Sequence, residues 1–179
     1  MKVIFLDVDG VLNGYNKFVD FMLDLLKPLH LDYKFAKYYD IFGIHTRKVK
    51  RLAKIVHKTN AKVVMSSSWR FAYFNNESKN IHINKLKRLC VKYEIDIIDR
   101  TGISETRNRE EEIREWLNCH NGVESFVILD DEQFDLQGFI GKELVRTSEK
   151  DYICGKAEED TGLKRKHVKQ AIKILNKEM

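Results

Sequence analysis

One stretch near the start of the chain indicates its architecture: Lys2-Val-Ile-Phe-Leu-Asp-Val-Asp-Gly-Val-Leu-Asn13. Its apolar run, Val3 to Leu6, predicts a buried β-strand. The run ends on Asp7 and Asp9, after which Gly10 allows the chain to turn away. Residues i and i+2 of a strand share a face, so the two carboxylates are expected together at its carboxyl edge.

Two carboxylates this close repel each other, and burying them without a counter-charge is costly. A divalent cation removes that cost, and oxygen-only ligands at the end of a strand suit Mg²⁺. Taken alone, the stretch also fits an Asp-x-Asp-Gly turn whose acids are solvated. It does not fit an EF-hand loop, because the next alternating acid and the closing Glu are both missing.

The same pattern of an apolar run followed by polar residues occurs twice more. Lys62–Met65 precedes three serines at positions 66–68, and Phe126–Leu129 precedes two aspartates at positions 130–131. The carboxyl ends of parallel strands meet at one edge of an open sheet, where such proteins bind their ligands. Three strands of this kind therefore predict one shared site.

The order of these polar residues resembles that of the haloacid dehalogenase (HAD) superfamily. Asp7-Val-Asp9-Gly10-Val11 resembles its first motif, Val64-Met65-Ser66 its second and Leu129-Asp130-Asp131 its fourth. The third motif requires a cation between the second and the fourth, and both Arg107 and Arg109 lie there. We favour Arg109 because it begins a predicted helix that leads to the Asp130 strand.

Longer phrases are similar to one small branch of that superfamily, the domain associated with Swiss-army-knife RNA repair proteins. These phrases are Ser66-Ser67-Ser68-Trp69-Arg70, Arg109 to Leu117, Val145-Arg-Thr147 and Thr161-Gly-Leu163. Most superfamily members carry Lys in the third motif, so an arginine there is a departure. Arginine keeps the positive charge, cannot be deprotonated and can hold a phosphate with two hydrogen bonds.

The resemblance implies a Mg²⁺-dependent phosphatase, a phosphoric monoester hydrolase that works through an aspartyl-phosphate. In that scheme Asp7 is the nucleophile, and Asp9 is the general acid and base. The metal ligands would be Asp7, the backbone carbonyl of Asp9, and Asp130. Asp131 would be a further ligand, directly or through water. Asp135 is either a support for the metal site or an ordinary loop acid.

The same scheme assigns contacts to the substrate phosphate. Ser66 would donate a hydrogen bond to a phosphoryl oxygen, and Arg109 would neutralise the phosphoryl charge. Ser67 is either a phosphate ligand or a turn residue. Arg70 either contacts a second phosphate or is an exposed surface arginine, and Trp69 is expected in the core.

Helical periodicity alternates with short apolar runs along the chain, which indicates an α/β protein. We predict a Rossmann-like, three-layer α/β/α fold with a mostly parallel central sheet and a minimal cap. A helix with Thr46 as its N-cap should precede the second strand. Apolar residues at helical spacing within 86–93, 109–117 and 168–175 mark three further helices, and a short strand is predicted at Ile95–Ile98.

The 179 residues are expected to form a single domain, 1–179, with a small flap or cap-like insert at about 14–44. That insert contains a cluster of aromatic residues. They either pack the insert onto the core or stack on the bases of a nucleic acid.

The net charge of +5 is unevenly distributed, because residues 41–76 contain no acid and the last predicted helix is again basic. This asymmetry suggests an anionic polymer along one side of the protein, although basic helices are often only solvated faces. The minimal cap and the resemblance to RNA repair proteins favour RNA or DNA ends as substrates. A nucleotide or another small phosphate ester is the alternative substrate.

Two other classes of protein fit the sequence less well than a phosphatase does. A non-catalytic nucleic-acid-binding module would leave the polar strand ends unexplained. A receiver domain would carry its phosphoacceptor on a middle strand and a lysine on a late one, whereas here the late strand ends on Asp130 and Asp131.

The expected location is the cytoplasm, with no membrane partner. No run of about 18 apolar residues is present, and the first strand begins too early to leave room for a signal peptide. The three cysteines lack Cys-x-x-Cys spacing, which favours neither disulfides nor zinc. The oligomeric state does not follow from the sequence.

Overall fold

In the computed structural model, which describes residues 1–13, 25–31, 43–75, 79–148 and 162–177, five strands form one sheet. The strands are β1 (Lys2–Leu6), β2 (Lys62–Met65), β3 (Ile97–Arg100), β4 (Ser125–Asp130) and β5 (Leu144–Arg146). Their order is β3-β2-β1-β4-β5, and every neighbouring pair is parallel. The predicted α/β fold is confirmed.

The sheet is covered on both sides, which explains why its central strands are continuous apolar runs. In β1, Ile4 and Leu6 belong to one hydrophobic cluster, and Val3 and Phe5 belong to another on the opposite face. All four side chains are fully buried. The strand could therefore be recognised from apolarity alone, without an alternating pattern.

Five helices in the described part of the chain connect or flank these strands. They are α1 (Thr46–Thr59), α2 (Arg70–Tyr73), α3 (Ile81–Lys92), α4 (Arg109–Cys119) and α5 (Arg165–Asn176). Short 3-10 helices lie at Lys27–Leu29 and Gln137–Phe139. None of the described helices has both the length and the apolarity needed to cross a bilayer.

The helices form two layers around the sheet. Apolar residues of α1, α3 and α5 share the cluster that contains Ile4 and Leu6. On the opposite face, α4 and the 3-10 helix at Gln137–Phe139 pack on the other cluster, where the ring of Trp116 meets Phe5 edge-on at 5.3 Å. The predicted three-layer α/β/α arrangement is therefore confirmed.

Two predicted element boundaries are wrong by one or two residues. Thr46 is the first residue of α1 rather than its N-cap, because His45 holds the extended conformation before the helix. The third strand lies at Ile97–Arg100 instead of Ile95–Ile98, since Ile95 packs in the core after α3 and pairing with β2 begins at Ile97.

The predicted insert at 14–44 lies outside the described residues, apart from segments 25–31 and 43–44. Its role as a flap or cap stays a prediction. The site discussed below is formed entirely by described residues at the carboxyl edge of the sheet.

Candidate active site

The register of the sheet places three predicted site residues side by side. Leu6, the last residue of β1, pairs with the last residue of β2 and with Leu129 of β4. Asp7 therefore lies between Ser66 and Asp130. Its amide donates to the carbonyl of Leu129 at 2.9 Å, and the amide of Ser66 donates to the carbonyl of Leu6 at 3.0 Å. The strand order reverses here, which is where open α/β sheets bind ligands.

Three buried carboxylates meet at this point. Oxygen atoms of Asp7, Asp130 and Asp131 all lie within 4.8 Å of one another. Burial, and then repulsion from Asp130, raises the pKa of Asp7 to about 8 and that of Asp131 to about 7. Burial also raises the pKa of Asp130. Three negative charges at this distance are unfavourable without cations nearby.

Arg109 supplies one such cation from the first turn of α4. Its Nη1 atom lies 3.0 Å from Oδ1 of Asp7 and 2.5 Å from Oδ2 of Asp130. Burial opposes the charge of this guanidinium, but attraction to Asp130 and Asp7 outweighs it and raises the pKa of Arg109 above its usual value. The arginine is therefore charged at any physiological pH.

Asp135 holds the start of α4 and with it the position of Arg109. Its carboxylate accepts from the amide of Arg109 at 3.1 Å, and its carbonyl accepts from the amide of Glu110 at 2.9 Å. Arg107, the other candidate for the third motif, is exposed, and within the described ranges its guanidinium contacts neither Asp7 nor Asp130. The structure therefore brings Arg109, not Arg107, to the carboxylates.

Asp9 has a different environment from Asp7. Because β1 ends at Leu6, the two aspartates are not held on one face of a strand. The Asp9 carboxylate is exposed, and both oxygens accept hydrogen bonds. Nδ2 of Asn13 donates to Oδ1 at 2.7 Å, and Nε1 of Trp69 donates to Oδ2 at 2.8 Å. Trp69 is partly buried and packs against the core cluster, which agrees in part with the prediction of a core residue. The prediction did not include its hydrogen bond to Asp9.

The serine after β2 presents an unpaired hydroxyl. Ser66 is fully buried, and its Oγ atom has no hydrogen-bond partner among the described residues. A buried hydroxyl without a protein partner is able to donate to a bound group. Ser67 behaves differently, because its side chain hydrogen-bonds Asp7 and so opposes the rise in the pKa of that carboxylate.

The interpretation of Arg70 as an exposed surface arginine is wrong. Its side chain is buried at the start of α2, where Nη1 donates to the carbonyls of Ser66 at 2.8 Å and Ser67 at 3.2 Å. Nη2 donates to the carbonyl of Gly102 and to both carboxylate oxygens of Glu112, each at 3.1 Å. The arginine thus fixes the serine loop, while contact with a substrate phosphate stays a prediction.

Replacing Glu112 with glutamine should strongly destabilise the protein. The neutral amide would leave the buried charge of Arg70 without compensation, and we expect the free energy of unfolding to fall by about 3 kcal/mol. Chemical denaturation measures this change. Glu115→Gln, an exposed position on the same helix, should change stability by no more than about 0.5 kcal/mol. Equal effects of the two variants would contradict the assigned ion pair.

Two residues that connect the loops of the site by hydrogen bonds, Asn13 and Thr147, were not predicted from the sequence. Asn13 accepts from the amide of Gly10 at 2.8 Å in addition to holding Asp9. The hydroxyl of Thr147, just after β5, donates to the carbonyls of Gly10 at 2.8 Å and Asp130 at 3.3 Å. Asn13 ends the opening stretch Lys2–Asn13, and Thr147 ends the phrase Val145-Arg-Thr147, but nothing in the local sequence indicates these contacts.

Gly10 does more than permit a turn. Its φ is +64°, and a Cβ atom there would lie 2.1 Å from Cγ of Asp131. No other residue fits this position without displacing the carboxylate.

The residues present fit a divalent cation. Three carboxylates converge within reach of one ion, and all the available ligand atoms are oxygens, as Mg²⁺ prefers. Their raised pKa values show that the cluster resists full ionisation, a resistance that a doubly charged ion would remove.

Residues 3–155 match the family described as the HAD domain in Swiss Army Knife RNA repair proteins. No curated protein and no solved structure matches the chain. The matched range contains β2 to β5, all of β1 except Lys2, and every residue of the carboxylate cluster. The chain therefore belongs to this HAD domain family and is a HAD-type phosphohydrolase.

Proposed function

We propose that the protein is a Mg²⁺-dependent phosphatase that removes terminal phosphates from nucleic acids through an aspartyl-phosphate on Asp7. The observation that carries this proposal is the position of Asp7. It lies between the unpartnered hydroxyl of Ser66 and the Asp130–Arg109 pair. A carboxylate with hydrogen-bond donors on both sides suits attack on a phosphoryl group.

In the first step, an oxygen of Asp7 attacks phosphorus, and the bond from phosphorus to the leaving oxygen breaks. In the second step, water attacks the same phosphorus and releases inorganic phosphate and free Asp7. Asp7, Asp130, Asp131 and the backbone carbonyl of Asp9 would hold the Mg²⁺, which supplies positive charge against the phosphoryl oxygens.

Asp9 is suited to proton transfer in both steps. It would protonate the leaving oxygen in the first step and accept the proton of the attacking water in the second. Its hydrogen bonds from Asn13 and Trp69 fix the direction of the carboxylate without burying it. These contacts therefore orient the group while leaving it open to exchange protons with solvent.

Ser66 and Arg109 are the residues that we assign to phosphoryl binding. The Ser66 hydroxyl has no partner among the described residues and would donate to one phosphoryl oxygen. Arg109 would share its remaining guanidinium donors with another oxygen. Arg70 and Glu112 act indirectly, because they hold the backbone of the Ser66 loop.

Two observations favour nucleic acid as the substrate. First, the matched family takes its description from RNA repair proteins. Second, α1 and α5 contain no acidic residue and pack against each other on one face of the sheet. Burial, and then repulsion from Arg47 and Arg165, lowers the pKa of Arg51, so cations of both helices lie close together. Such a surface attracts a polyanion.

Phosphate release from a mixed panel of substrates tests the proposal. The panel would contain oligonucleotides phosphorylated at the 5′ or the 3′ end, mononucleotides and sugar phosphates. We expect release from the oligonucleotides with Mg²⁺ and none with EDTA. Adding Mg²⁺ to the metal-free protein should also raise its melting temperature, because the ion relieves repulsion among the three aspartates.

The outcomes separate the parts of the proposal. Release that is unaffected by EDTA would contradict the metal dependence. Metal-dependent release mainly from mononucleotides or sugar phosphates would instead establish a small-molecule phosphatase. In that case the basic helices would be ordinary solvated surfaces.

A further inference from the structure

A cleft of about 340 Å³ lies beside the reaction centre, on the β2 and β3 side of the sheet. We call it the side cleft; its walls include Phe71, Ile103, Arg107 and Arg109. Since Arg109 also contacts Asp7, the side cleft and the carboxylate cluster share a wall. A molecule whose phosphate reaches Asp7 would therefore have its neighbouring atoms at or near this cleft.

Apolar side chains in and beside the cleft are exposed. The accessible fraction is 49% for Phe71 and 58% for Ile103, and the nearby Phe74 is also exposed. The guanidinium of Arg100 lies 5.8 Å from the ring centre of Phe71 and 5.5 Å from that of Phe74. Aromatic rings interleaved with arginines are typical of surfaces on which bases of single strands stack.

The charge available to a ligand in the side cleft is positive. Its two acids are already engaged, Glu112 by Arg70 and Asp135 by the backbone of Arg109. Arg107 is exposed, and in the described part of the chain its guanidinium has no hydrogen-bond or ion-pair partner. An incoming anion would thus meet an available cation in a cleft that shares Arg109 with the reaction centre.

From these observations we propose that the side cleft binds the terminal nucleoside of the substrate. The base stacks on Phe71, and the next phosphodiester along the strand contacts Arg107. This inference rests on the proposed function, since it assigns the position of the leaving group. The volume suits one nucleoside rather than a longer segment. A sugar phosphate would leave the aromatic and aliphatic walls without a partner.

Equilibrium binding to the Asp7→Asn protein tests this without requiring turnover. The probe is a labelled dinucleotide with a terminal phosphate, prepared separately with the phosphate at the 5′ and the 3′ end. Phe71→Leu keeps an apolar side chain but removes the aromatic face. It should weaken binding of the preferred probe about tenfold, whereas Phe71→Trp should retain it.

Arg107 is tested by replacement with asparagine. Arg107 has a φ of +57°, and asparagine tolerates this left-handed conformation, so the variant should fold. Arg107→Asn should weaken binding of the dinucleotide and reduce the salt dependence of binding, while affecting a phosphorylated mononucleoside far less. Matched controls are Arg88→Ala and Val91→Ala, which change exposed positions on α3.

Two outcomes of the binding experiments would overturn the assignment of the side cleft. If Phe71→Leu and Phe71→Trp bind the probe equally, or if the α3 controls weaken binding as much, the assignment of the side cleft is overturned. The proposed function is judged separately, by phosphate release from wild-type protein. If Phe71→Leu weakens binding but the wild-type protein releases no phosphate, the side cleft is kept and the phosphatase is rejected. If the wild-type protein releases phosphate but Phe71→Leu binds as well as Phe71→Trp, the phosphatase is kept and the side cleft is rejected.

Discussion

Asp7→Asn should abolish the release of phosphate from small esters and from oligonucleotides alike. An amide cannot act as the nucleophile that accepts the phosphoryl group, so turnover should fall by at least about 10³-fold. The measurement is phosphate release with Mg²⁺ under single-turnover conditions, where chemistry is observed directly. Acid quenching should trap a phosphorylated wild-type protein and no phosphorylated variant.

The variant should not lose activity by unfolding. Burial, and then repulsion from Asp130, raises the pKa of Asp7 from 3.8 to about 8. A folded-state pKa above the unfolded value means that stability is lost as pH rises through this interval. Asparagine removes that loss, so metal-free Asp7→Asn should be more stable than wild type above about pH 8. Thermal melts of both proteins across this range measure the difference.

Either of two results would reject the assignment of Asp7. One is full turnover in a folded Asp7→Asn protein. The other is the loss of activity together with a lower melting temperature, which would make Asp7 a structural residue. Asp130→Asn is the useful comparison, because it should weaken metal binding and leave some turnover at high Mg²⁺.

Arg109→Ala is expected to have the second largest effect. The guanidinium contacts Asp7 and Asp130 and would face the charged phosphoryl oxygens, so its removal should cost about 3 kcal/mol or more of transition-state stabilisation. This corresponds to a loss of kcat/KM of at least about 10²-fold. The steady-state kinetics of a small, non-aromatic phosphate ester provide the measurement.

Two further variants make the Arg109 result specific. Arg109→Lys keeps the charge that most members of the superfamily place here, and it should recover part of the activity. Arg107→Ala should lower turnover of the small ester far less, because its side chain contacts neither aspartate in the described chain. If Arg107→Ala lowers kcat/KM more than Arg109→Ala does, Arg107 rather than Arg109 is the cation of the third motif.

The sequence was sufficient to predict the fold and the grouping of the main site residues. Val3–Leu6, Lys62–Met65 and Phe126–Leu129 all lie within strands of one parallel sheet. Polar residues that follow such strands must meet at one edge, so the convergence of Asp7, Ser66 and the two later aspartates required no knowledge of the register. Buried apolar runs are a strong signal because both faces are covered.

The contacts that position the site could not be predicted, because they join distant parts of the chain. Arg70 looked like a surface residue, since its partner Glu112 lies 42 residues away. Trp69 and Asp9 are separated by 60 residues. The strand β5 has only three residues, too few for any periodicity to be recognised. The environments of Arg70 and Trp69 and the pairing of β5 are therefore determined by tertiary structure.

The central position of β1 has a consequence for synthesis of the protein on the ribosome. This strand leaves the ribosome before the other four, yet one of its two edges has no neighbour until β4 has been made. A nascent chain must therefore hold an apolar strand with at least one unpaired edge through the synthesis of β2, β3 and the four described helices α1 to α4. The carboxylates of Asp7 and Asp130 come together only near the end of this process. The repulsion between these two carboxylates therefore arises only after β1 to β4 and the described helices between them have been made.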